Sequence, residues 1–174
     1  MKFRKKKKFW VKGMTLVEVI LYVGISAVVL VSVAIFISLV FTSEIKNRTV
    51  AEVEQQGMMI IQLINQTIRN AAGINFPVSG VASSTLSLDV ILVANDPTVF
   101  NLASGTIRIK EGAGQVVVLN NDRVMAANLL FFNLSRVGTA GNMRVQFDLN
   151  HFNPSGQNEY DYSKTFYGSA SLRF

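Results

Sequence analysis

From Val19 to Phe41 the chain runs for 23 residues without a formal charge. An α-helix needs about 20 apolar residues, at roughly 1.5 Å each, to cross a bilayer core. The run therefore predicts a membrane-spanning helix. Beyond it the pattern changes without a break: Val50, Val53, Gly57, Ile60, Ile61, Ile64, Ile68 and Ala71 recur at spacings of three and four, which puts them on one helical face. Glu44, Lys46, Arg48, Glu52, Glu54, Gln55, Gln62, Gln66 and Arg69 supply the other faces. No proline occurs before Pro77, and Gly73 offers a stop, so one continuous helix is predicted over about 15–72. Its length, on the order of 85 Å, exceeds what a bilayer needs, and the apolar stripe assigns the outer half to packing against the rest of the protein.

After Gly73 the period changes to two. Leu86, Leu88, Val90 and Leu92 alternate with polar residues, and Ile107 and Ile109 alternate with Arg108 and Lys110. Gly112, Ala113 and Gly114 turn that strand into Gln115–Leu119, a hairpin signal. A strand over Asn128–Val137 is followed by a turn at Gly138–Asn142. Val145, Phe147 and Leu149 then alternate strictly with Arg144, Gln146, Asp148 and Asn150, so one face is buried and the other wet. A last strand, Ser163–Phe174, puts Phe166, Gly168, Ala170, Leu172 and Phe174 on one side. The expectation is an α+β fold: the long helix laid on one antiparallel sheet of about five to six strands.

Charge sharpens the division. Lys2, Arg4, Lys5, Lys6, Lys7, Lys8 and Lys12 are seven of the 17 basic residues; without them ten bases face eleven acids, a net charge near −1. The formal +6 is thus a property of a tail, the side of a membrane helix that stays with the cytoplasm. A nucleic-acid reader would carry its charge on the folded surface, so strong nucleic-acid binding is not expected. With no cysteine in the chain, disulfides and thiolate metal sites are excluded. Four regions result: a basic leader at 1–13, an apolar helical half at 14–41, an amphipathic half at 42–72, and a β-rich head at 73–174.

The junction Lys12-Gly13-Met14-Thr15-Leu16-Val17-Glu18 leads directly into the apolar run. An ordinary secretory signal has a shorter apolar core with small residues at its far end; here the glycine precedes an apolar run too long for that class. A basic leader, a glycine, Met-Thr-Leu-Val-Glu and a long apolar helix resemble the class III signal of type IV prepilins and pseudopilins. The resemblance covers about 30 residues. It implies cleavage between Gly13 and Met14 by a membrane-embedded prepilin peptidase, N-methylation of Met14, and assembly of subunits through their helices on a membrane platform. The location implied is the cytoplasmic membrane, with the N-terminus inside and the head outside, and then an extracellular or periplasmic filament.

Glu18 matches the acid at the fifth mature position of that family, which pairs with the free N-terminal amine of a neighbouring subunit. A carboxylate in an apolar helix is otherwise expensive, about 2.5–3.5 kcal/mol for Asp at the bilayer centre on insertion scales; an interfacial Glu that reaches the headgroups is the plainer reading. Two departures favour a minor pilin or minor pseudopilin over a principal subunit. The apolar half has no proline, only Gly24 as an interior weak point, and the head lacks the paired C-terminal cysteines of many major pilins.

Little in the head points to chemistry, and neither catalysis nor a cofactor is expected. His151 is the only histidine and ends a strand, and without positional support no catalytic triad can be argued around it. Asn153, Ser155, Asn158, Glu159 and Asp161 offer hard oxygen ligands that would suit Ca²⁺, but these are also ordinary turn residues. Among the aromatics, Phe131, Tyr160, Tyr162 and Tyr167 are read as core or rim packing, with an outward contact surface as the alternative. Besides a filament subunit, the sequence leaves open a pilus-borne adhesin or DNA-uptake subunit, and a bitopic membrane protein with no filament role.

Overall fold

A computed structural model describes residues 13–136, 138 and 140–173. The basic residues 2–12, and the expectations for Val137 and Phe174, lie outside them. Among the described residues one α-helix, α1, spans Leu16–Asn70, and nine strands follow: β1 Ala71–Phe76, β2 Ala82–Ser83, β3 Leu86–Val90, β4 Thr98–Ala103, β5 Thr106–Glu111, β6 Val116–Val118, β7 Val124–Asn133, β8 Asn142–His151 and β9 Ser163–Ser171. The α+β layout is the expected one. The helix divides between two compact units, one ending at Thr42 and the other comprising Ser43 onward.

The head differs from expectation in having two antiparallel sheets rather than one. The first has the order β1-β3-β4-β5-β6 and the second β2-β7-β8-β9. Both share a single core with the helix: Val53, Ile60, Ile61, Ile64 and Ile68 of α1 pack with Leu86, Leu88, Phe100, Ile107, Phe131, Val145, Phe147 and Leu149. The sheets meet where the Phe100 and Phe131 rings lie 6.4 Å apart. Buried asparagines close the connections around this core. Asn120 accepts from the Ile107 N–H at 2.8 Å and donates to the Val124 carbonyl, and Asn133 donates to the Pro77 carbonyl at 2.6 Å. Each satisfies backbone groups that a loop would otherwise leave bare in the interior.

α1 does not continue to 72, and Gly73 is no helix stop. The chain passes straight from Asn70 into β1, where Ala71 pairs with Val90 and Gly73 with Asp89. Ala71 is buried as the stripe predicts, but as a strand residue; pairing with β3 overrides the helical period.

The second correction concerns β7. It begins at Val124 rather than Asn128, ends at Asn133, and carries a bulge between Ala127 and Leu130 opposite β8. Asn128 sits there at φ 52°, the left-handed region that Asn tolerates better than most residues. The extra residue shifts the parity of the strand: Val124 and Ala126 face the core before it, Leu129, Phe131 and Asn133 after it. Phe131 is therefore fully buried, not an outward contact residue. Its neighbour Phe132 lies on the other face, with the Arg144 guanidinium 4.6 Å from its ring centroid.

Helix and head are locked at Gly57. A Cβ at this position would collide with the Phe166 ring of β9, so the absent side chain lets the aromatic ring rest on the helix backbone. Beside it Glu54 accepts from Lys164 at 2.6 Å and from the Tyr162 hydroxyl at 3.2 Å. The Lys164 hydrogen bond, its charge and the tyrosine hydrogen bond hold the Glu54 carboxyl below its ordinary value of 4.5. Reciprocally, the bond to Glu54 raises the Lys164 ammonium above 10.5.

Candidate membrane-spanning and assembly segment

The helix begins where its backbone is first satisfied. Thr15 precedes it, and the Thr15 hydroxyl accepts the Glu18 N–H at 3.3 Å, so Thr15 caps the helix. Thr-x-x-Glu is the spacing of a capping box, and a carboxylate in the first turn also faces the positive end of the helix dipole. The Tyr22 hydroxyl donates to Glu18 Oε1 at 3.3 Å, one turn on. Glu18 thus has one backbone contact and one side-chain contact that its reading as an assembly residue did not include. The signals were legible: the Thr15–Glu18 spacing, and a tyrosine four residues beyond the acid.

Gly13 and Met14 lie ahead of the helix in irregular, exposed backbone. From Val19 to Phe41 the large side chains are exposed: Leu21, Val23, Ile25, Leu30, Ile35, Phe36 and Leu39 all present more than half their surface. Three hydroxyls of this half turn inward on the helix itself. Ser32, Ser38 and Thr42 donate to the carbonyls of Val28, Ala34 and Ser38 at 2.8, 3.0 and 3.0 Å. Hydroxyls bonded to their own helix leave few unsatisfied polar groups for an apolar solvent. Among the described residues, α1 is the helix long and apolar enough to cross a membrane, and its most apolar window buries nothing within the protein.

In the head, the structure gathers Glu52, Asn121, Arg123, His151 and Tyr160 at the lower part of the packed helix. Asn121 donates to Glu52 Oε1 at 2.8 Å. Arg123 and His151 approach the other carboxylate oxygen at 3.9 and 3.8 Å, and the Tyr160 ring stacks on His151 at 5.5 Å. The histidine is nearly buried in this cluster. Among the described residues no serine hydroxyl is bonded to it, and the arrangement ties the helix to the β7–β8 end of the head.

In the oxygen-rich loop the Asn153 side chain closes the turn. Asn153 donates to the Gln157 carbonyl at 2.8 Å and accepts the Gln157 N–H at 3.0 Å. Asn158, Glu159 and Tyr160 form a single 3-10 turn, with the Asp161 N–H bonded back to Asn158. Among the described residues no three His, Asp or Glu side chains come together in a way that could hold a metal ion. Tyr167 is well exposed on β9, whereas Tyr160 and Tyr162 are half-buried against His151 and Glu54.

No protein-family model, curated protein or solved structure matches this chain.

Proposed function

We propose that this chain is a minor subunit of a type IV pilus-like filament or type II secretion pseudopilus. In this reading a prepilin peptidase cuts after Gly13 and methylates Met14, the subunit waits in the cytoplasmic membrane with its head outside, and it then joins other subunits through the exposed half of α1. The observation that carries the proposal is the Gly13–Glu18 junction set at the start of a helix whose first half is bare and apolar while its second half is built into a head. A helix needed only as an anchor has no use for this processing signal.

A specific observation favours a second reading, a bitopic protein without a filament. The Tyr22 hydroxyl donates to the Glu18 carboxylate, which gives the acid a role within its own helix. Two measurements separate the readings. Mass spectrometry of the protein from cells that possess the peptidase should find a chain beginning at methylated Met14; a retained leader rejects the proposal. Glu18→Ala should leave the protein in the membrane but block its incorporation into filaments, with Thr15→Ala incorporating normally. If Glu18→Ala incorporates normally, the pairing with a neighbouring amine is rejected.

A further inference from the structure

The head leaves one sheet edge uncovered in an unusual way. β6 pairs with β5 on one side and, among the described residues, with nothing on the other. Exposed edges are normally blunted by charge, proline or a covering loop. β6 is short, at three residues, but carries neither charge nor proline, and Val116, Val117 and Val118 are 52%, 56% and 49% exposed. A second run of bare aliphatics, Ile91, Leu92 and Val93, flanks the turn that starts the same edge. Asn95 donates to Glu111 at 3.0 Å, and the Gly112 N–H bonds to the Pro97 carbonyl at 3.0 Å. These bonds hold the β3–β4 connection against the β5–β6 hairpin.

The register states what this edge can accept. Leu119 donates to the Ile107 carbonyl at 2.9 Å, and Val117 pairs with Ile109. In an antiparallel ladder the bonding direction alternates, so the N–H and C=O groups of Val116 and Val118 point away from β5, toward the open side. The faces differ too. Ile107 and Ile109 are buried on the inner face, whereas Arg108 and Lys110, opposite Val118 and Val116, stand on the outer one. None of the ion pairs among the described residues engages either cation. An added strand would lie about 9.5 Å from β5, within the combined reach of these long cations and an incoming carboxylate.

We propose that β6 accepts an extended segment of a partner protein by strand addition, with apolar residues on its inner face and acidic residues on its outer face. Main-chain bonds to Val116 and Val118 supply the docking, and Arg108 and Lys110 supply the choice of sign. The proposal does not depend on the filament reading.

The test uses the full chain in zwitterionic detergent and two synthetic peptides of alternating sequence, glutamate–valine and lysine–valine, titrated by isothermal calorimetry. The acidic peptide should bind, more weakly as salt rises, and the basic one should not. Val118→Pro deletes an outward N–H and leaves the β5 ladder intact; it should weaken binding about tenfold. The pair Arg108→Glu with Lys110→Glu should reverse the preference between peptides, an outcome that unfolding cannot mimic. Absence of binding, equal binding of both peptides, or unchanged preference in the charge-reversed protein overturns the proposal.

Discussion

Ile64 and Val29 belong to the same helix, yet Ile64 is 0% exposed and Val29 is 53% exposed. The two halves of α1 are both rich in branched aliphatics, and they differ in how those residues are distributed. In the second half the buried apolar positions follow one stripe, and the rest of the surface carries Glu44, Arg48, Gln55, Gln62 and Arg69 along with Met58 and Met59. In the first half apolar positions occupy every face. A stripe can be satisfied by a sheet laid along it; an all-round apolar surface needs an apolar solvent on all sides. The contrast separates what holds the head together from what places it.

The comparison is most easily broken by truncating equivalent residues in the two halves. Ile64→Ala removes a fully enclosed side chain, and the head should lose about 2–5 kcal/mol, read as a fall in its unfolding midpoint. Val29→Ala should leave that midpoint unchanged. An equal loss from both would mean that the first half is also part of the head's core.

Glycines give the next largest effect. A side chain at Gly57 meets the Phe166 ring, whereas nothing lies within 4 Å of one at Gly24. Gly57→Leu should destabilise the head by about 1–3 kcal/mol through overpacking. Gly24→Leu should be neutral for the head and favour the helix by up to about 1 kcal/mol. Melting curves of both variants in one detergent decide it.

The smallest effect is electrostatic. The carboxyl of Glu54 is depressed by its partners, so the stability it contributes is present above 4.5 and fades as pH falls through its lower folded value. Lys164 is raised, so its contribution is present below 10.5 and is lost as pH climbs through its higher folded value. The head should therefore be least tightly tied to α1 at the two extremes. In Glu54→Gln the acid-side decline should become shallower by the share of this pair, measured as midpoint against pH.

The helix was legible because its signals are local. Charge-free length, a three–four stripe and the absence of proline place it to within two residues at either end, and the alternation of Val145, Phe147 and Leu149 against Arg144 and Gln146 was equally readable. At the start of the helix, the cap and the tyrosine contact at Glu18 could have been found from spacing alone. The Glu52 cluster could not, because Glu52, Asn121 and His151 are brought together only by the packing of distant segments.

By itself, then, the sequence determined the elements whose causes lie within a few residues: the apolar run, the amphipathic stripe, the processing-like junction and the strict strand alternations. Tertiary structure decided how nine strands divide into two sheets, where the helix yields to β1, and which of Phe131 and Phe132 is core. The physical reason is common to all three. A strand's partner, and the side its residues face after a bulge, depend on hydrogen bonds to chain far away in sequence, and no local period records which partner wins.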